Sequence, residues 1–276
     1  MGWALSGVVV FTVIFAAGKL TGGQVPLVQL IMLRLIGALP VLLAWRLATR
    51  TYLPFVTRAP ALSIIRASCG YGGLMCALEA GIRLPLAQAS TLGLLEGVLA
   101  VLLGGLLLHE RIGLPHRAAA VLGLVGATLA AEPWRAEWQL SSGVPIALGS
   151  ALLFGLEVVV IKKLVEMDEA WTLIFTVHLF GLVLLALPAW FMWRPIEPGQ
   201  MLFALALGPL GILGQLMNVR AWRALPISVI GPLGYSWVLF AAILGYLVGG
   251  ERPGTWTIAG AMLILASGLL LARDGR

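Results

Sequence analysis

The chain has 276 residues, 60% of them hydrophobic and 11% charged, with a net charge of +6 and a mean hydropathy of +1.00. Soluble domains carry about 45–50% apolar and about 25% charged residues, so a soluble enzyme, a disordered chain and a disulfide scaffold are excluded. Crossing a ~30 Å hydrocarbon core takes about 20 helical residues, so the length holds roughly ten to twelve crossings and no separate catalytic domain.

In chain order, apolar stretches broken by Pro, Gly and charges predict spans at 3–18, 26–46, 62–81, 86–108, 113–131, 143–161, 170–193, 200–219, 226–249 and 255–272. Backbone polar groups in lipid must be satisfied within the segment, and runs this long read as helices and not barrel strands. No charged region precedes the first stretch, so it is read as a span and not as a cleaved signal. The opening MGWALS matches a myristoylation pattern in form and is read as the first turn of that span. Cys69 and Cys76 are seven apart in the third span. That spacing separates them by about 10 Å along a helix, beyond the ~7 Å bridging limit.

The basic residues stand singly between apolar runs, a pattern of topology and not of nucleic-acid binding. With both termini inside, that face holds twelve Lys/Arg, Arg66 and Lys162 among them. The outer face holds five: Lys19, Arg83, Arg135, Arg194 and Arg252. This excess predicts cytoplasmic termini. Nine of ten tryptophans fall at span ends or loops, where an aromatic belt belongs, and only Trp237 is mid-span.

An internal repeat is the strongest signal. At an offset of 141, residues 83–111 superpose on 224–252 with ten of 29 positions identical, including Pro85, Gly93, Gly104, Glu110 and Arg111. A weaker offset of 143 pairs Phe11 with Phe154 and Lys19 with Lys162. The expected architecture is an all-α integral membrane protein of ten transmembrane helices in two five-helix repeats, 1–135 and 136–276. Five is odd, so the second repeat is inverted, an arrangement found in transporters with a site at the midplane.

Two five-helix halves, Pro26 leading to Arg34 in the second span, and a Glu closing the fourth and ninth (HER at 109–111, GER at 250–252) resemble the drug/metabolite transporter superfamily, EamA branch. The resemblance covers nearly the whole chain. The family often carries a proline inside the fourth helix of each half; Pro232 matches it, while Thr91 stands there in the first half. The resemblance implies an exporter of amino acids and other small metabolites.

Charges deep in a span cost roughly 2.5–3.5 kcal/mol on insertion scales, so each needs a partner or a wet cavity. Arg34 lies about 12 Å and Glu96 about 15 Å from the outer edge, a depth at which they form either a substrate or proton site or a structural pair. Glu157 and Gln215 share a greater depth, where they can bond to each other or face a vestibule. His178 is either a proton-sensing group or a satisfied structural donor. Phe11, Phe15, Tyr71, Met75, Phe154, Tyr235 and Trp237 gather near the midplane, either as an aromatic cavity for an apolar side chain or as ordinary packing. Pro85 and Pro226 open the fourth helix of each half as hinges or as first-turn prolines. The Gly93/Gly97, Gly245/Gly249 and Gly208/Gly211/Gly214 series predict close helix contacts.

Other chemistry fails on inspection. Gly113 stands where a zincin needs its second His after His109-Glu110, and no Walker or Rossmann glycine pattern occurs. SCGYGG at 68–73 is similar to a potassium filter but lies inside a full span. The expectation is a multi-pass inner-membrane secondary transporter, not an enzyme, exporting neutral or aromatic amino acids. Its partners would be that solute and the bilayer, with no nucleic acid, cofactor or metal; a monomer suffices. A passive channel and a carrier of another metabolite are the alternatives.

Overall fold

The computed structural model describes residues 2–49, 57–108, 114–131, 143–164, 166–224 and 236–274, and among them all regular structure is helical. The helices are α1 (Gly2–Leu20), α2 (Leu27–Thr49), α3 (Pro60–Arg83), α4 (Leu86–Gly93), α5 (Leu95–Leu108) and α6 (Leu114–Ala131). They continue with α7 (Gly143–Leu164), α8 (Ala170–Met192), α9 (Pro198–Ala224), α10 (Ser236–Gly249) and α11 (Thr255–Asp274). Six helical stretches are long and apolar enough to cross a membrane, and four more apolar helices are shorter. Each of the ten predicted stretches holds one of them, and α4 and α5 share the fourth.

That fourth stretch departs from the expectation of a single helix. It breaks at Leu94, whose N–H is shared between the Ser90 and Thr91 carbonyls, and Gly97 bonds back only three residues to Leu94. No proline causes this. The Thr91 hydroxyl donates to Ala87 O at 2.8 Å, a back-bond that bends helices, and Gly93 adds backbone freedom.

Helix crossings are set by missing side chains. A Cβ on Gly126 would stand 2.8 Å from Gly260 O, and one on Gly260 would stand 2.4 Å from Gly126 O, so α6 and α11 meet backbone to backbone. Gly37 and Gly208 do the same for α2 and α9, where a Cβ on Gly208 would lie 2.4 Å from Arg34 O. Lipid tails are as apolar as leucine, so such close packing, not hydrophobic exclusion, holds the helices together. Gly93 and Gly97 behave otherwise: among the described residues nothing lies within 4 Å of their absent side chains. The expected close contact fails there because the break turns that face to open space.

The neighbours fall in a regular order. α1 packs on α9, and α7 on α3; α2 packs on α9, and α8 on α3; α1 packs on α10, and α7 on α4 and α5. The pairs α6/α11, α4/α10 and α2/α8 pack as well, as do α1/α3 and α5/α6. Counting α4 with α5 as one span, all but the last two of these pairs map onto one another when each span is exchanged for the one five further on. The pairs α1/α3 and α5/α6 have no comparable counterpart among the described residues.

Outward faces carry the apolar surplus, with Leu47, Leu114, Trp190 and Phe191 each more than three-quarters exposed, as a lipid-facing surface requires. At the end of the bundle where α1 finishes, several polar ties join distant segments. Lys19 pairs with Glu251 and donates to Leu84 O at 3.3 Å, while the second Glu251 oxygen accepts the Leu86 N–H at 2.8 Å. Gly250, at φ +64°, lets the chain turn back so that Glu251 bonds to Gly245 O and aims its carboxylate at the start of α4. Gln29 and Arg194 exchange reciprocal bonds of 2.9 and 3.1 Å nearby. At the other end Asp168 accepts from Arg58 N and the Thr57 hydroxyl, and Trp45 stacks on Trp171 with centroids 3.7 Å apart.

Candidate functional site

The predicted aromatic residues separate into two groups. Phe15 on α1 meets Trp237 on α10 edge to face, with centroids 5.6 Å apart and planes at 62°. The Trp237 indole donates to the buried Ser90 hydroxyl on α4 at 3.0 Å. Phe154 on α7 packs with the same cluster and lies against Gly73, where a Cβ would fall 3.0 Å from its ring. Phe11, Tyr71 and Met75 belong to a second cluster. Gly214 leaves room for the Phe11 ring, and Gly181 for the buried Tyr71 ring. Phe11, Phe15, Tyr71 and Phe154 thus each have a glycine of a facing helix opposite the ring.

Arg34 on α2 and Arg66 on α3 are buried, and Glu96 on α5 and Glu157 on α7 are partly buried. Arg66 on α3, eight per cent exposed, donates through Nη1 to Leu173 O at 2.8 Å and sets Nε 3.6 Å from Glu157 Oε1. The Glu157 carboxylate fits because Gly70 faces it, and a Cβ there would stand 2.9 Å from Oε2. Glu96 feels the charge of Glu157, and the Tyr71 hydroxyl feels Arg34, Arg66 and Glu157. Arg34 rests its guanidinium on Gly211 of α9.

Two expected pairings are therefore corrected. Arg34 and Glu96 share a depth but form no ion pair, because Arg34 points to α9 while Glu96 is on α5, packed against α7. Glu157 takes Arg66 and not Gln215, because α7 packs on α3 and Gln215 belongs to α9. Depth arithmetic fixes height but not azimuth.

His178 is buried with Nδ1 2.7 Å from Ile174 O. A carbonyl only accepts, so Nδ1 carries a proton. Glu79 pairs with Arg83 one turn on, at the surface. Pro85 sits at the N-cap of α4, one residue before the first-turn position expected. Pro226 and Tyr235 lie outside the described residues, and Cys69 and Cys76 are free.

Arg66 is the functional candidate that sequence counting placed wrongly, among the cytoplasmic charges at a helix end. Its position about 6 Å into the third span suggests a snorkelling side chain. The signal that it turns inward is the spacing Arg66, Gly70, Gly73, a single helix face smoothed for a neighbour.

The sequence profile of the EamA-like transporter family matches residues 1–131 and 141–273. A riboflavin transporter of Vibrio cholerae is 28% identical over 188 residues, 66% of this chain and 61% of that protein. The match thus spans less than two thirds of the Vibrio protein. The pseudopaline exporter CntI of Pseudomonas aeruginosa is 26% identical over 267 residues, 95% of this chain and 92% of the other. A solved crystal structure superposes with a TM-score of 0.68 over 99% of this chain and 97% of its own, at 20% identity, and so shares the fold.

Proposed function

The chain belongs to the EamA-like transporter family, a multi-pass protein of the inner membrane, and we propose that it exports small amphipathic metabolites by alternating access. Neutral and aromatic amino acids head the proposed substrates. The observation that carries this reading is the Phe15–Trp237 contact. It joins α1 to α10 across the length of the chain and keeps a hydrogen-bonding group, Ser90, at its rim. An aromatic wall with a polar edge, next to buried charges of both signs, suits a solute with one apolar and one charged end. Glu96, Arg34 and Gln215 are the proposed contacts for the charged end, and Pro85 the proposed hinge.

Two inverted repeats with cytoplasmic termini are part of the proposal. The helix pairs that map onto one another under a five-span exchange support it, as do the two matched stretches on either side of 132–140. With this orientation the Lys19–Glu251 tie lies on the outer face.

Counterflow into liposomes with a panel of amino acids tests the reading. Saturable exchange is expected, and it falls in Trp237→Ala and Glu96→Gln. Unchanged exchange of every substrate by both variants overturns the site, and unsaturable, ion-selective conductance overturns the carrier mechanism. The name of the Vibrio relative favours a second reading, a flavin-sized ring on the aromatic wall. Riboflavin therefore belongs in the panel.

A further inference from the structure

Arg66 and Glu157 form an ion pair that is not closed. Arg66 is held by its bond to Leu173 O, which fixes the guanidinium plane, yet its Nε reaches no hydrogen-bond partner. The nearest carboxylate oxygen is 3.6 Å away, whereas a charge-assisted N–H···O bond closes to about 2.7–2.9 Å. A pair whose role is only to lock two helices gains by closing that gap, because an unmade bond at a buried donor is costly. Here a strong donor faces a strong acceptor with the bond between them unmade.

Gly70 makes the space on the α3 side that the Glu157 carboxylate fills, and one turn along the same face Gly73 receives the Phe154 ring. An apolar surface and a pair of opposite charges thus lie a helical turn apart between α3 and α7. The second carboxylate in range, Glu96, adds negative potential on the Glu157 side, while Tyr71 stands within the fields of both Arg66 and Glu157.

We propose that Arg66 and Glu157 are a charge-exchange pair that selects zwitterions, the ligand carboxylate taking the Arg66 Nε and its ammonium taking Glu157. This rests on the transporter reading above and adds to it a charge-selecting position separate from the Glu96, Arg34 and Gln215 contacts. A zwitterion parts the pair and satisfies both members. An anion satisfies Arg66 but leaves Glu157 buried alone, and a cation does the reverse, so each singly charged analogue is rejected by an uncompensated charge.

The test uses the full chain in proteoliposomes with three probes: L-phenylalanine, its anionic N-acetyl form and its cationic amide. The wild type is expected to exchange phenylalanine at least about ten-fold faster than either blocked form, since an unpaired buried charge costs more than one decade. Glu157→Gln is expected to turn the preference toward the N-acetyl anion, and Arg66→Gln toward the amide cation. Equal loss of all three probes in both variants, with the wild-type ranking retained in the double variant Arg66→Gln/Glu157→Gln, makes the pair structural and overturns the proposal. Should a single variant fail to reach the membrane, the double variant decides: loss of the zwitterion preference supports the proposal, and its retention overturns it. Wild-type exchange of all three probes without preference overturns this inference alone. No exchange of any probe overturns the amino-acid reading with it.

Discussion

Trp237 and Glu96 occupy aligned positions at the 141-residue offset, but their surroundings differ. The indole edges into Phe15 and reaches Ser90, whereas Glu96 is in the field of Glu157. An edge-to-face pair is worth about 0.5–1.5 kcal/mol beyond its buried area. Trp237→Ala is therefore expected to weaken apparent substrate affinity about 2- to 13-fold, while Trp237→Phe, which keeps a ring, retains most of it; counterflow KM values decide. The aromatic residues were legible in the sequence because mid-span rings in an otherwise aliphatic helix are conspicuous. Their partners were not legible. Arg66 was hidden by its place near a helix end, and a pairing of Arg34 with Glu96 stayed open because rotation about the helix axis leaves no trace in a depth count.

Among the elements, the fourth span is the clearest departure from its sequence pattern. Its apolar run is continuous from 86 to 108, and nothing in hydropathy marks the break at Leu94. The cause lies in a hydroxyl and a glycine, Thr91 and Gly93, which periodicity does not register. Gly93 faces open space, so Gly93→Ala meets no clash and favours the helix by about 1 kcal/mol. The expected result is a higher unfolding temperature in detergent together with slower exchange. Faster exchange would show that the break is not needed for movement. Gly126→Val makes the opposite case: its side chain enters the α6/α11 backbone contact, and a loss of about 1–3 kcal/mol of stability is expected by thermal or denaturant unfolding.

For the whole molecule, ten apolar stretches were legible from length and hydropathy alone, because lipid imposes helices and sets their length. Which helices touch was not, since glycine crossings depend on geometry spread across distant segments. The proposed orientation predicts that a fluorescent fusion after residue 276 glows and a phosphatase fusion there is inactive. Active phosphatase at that site reverses the topology. The tie at the far end gives a further test. Glu251→Gln leaves Lys19 without its anion, so a larger drop in melting temperature is expected for it than for the double variant Lys19→Gln/Glu251→Gln, which removes both charges.

That same tie bears on how the protein is made. Lys19 lies at the end of α1 and Glu251 follows α10, so more than two hundred residues must be synthesised between them before the pair can form. Until then the first helix has an unneutralised ammonium at its end, and the backbone N–H of Leu86 has not received its acceptor. The opening helix is thus completed by nearly the last one inserted. A translation intermediate arrested before Glu251 is expected to leave α1 open to protease and to cysteine labels at position 19, and release of the finished chain is expected to protect it.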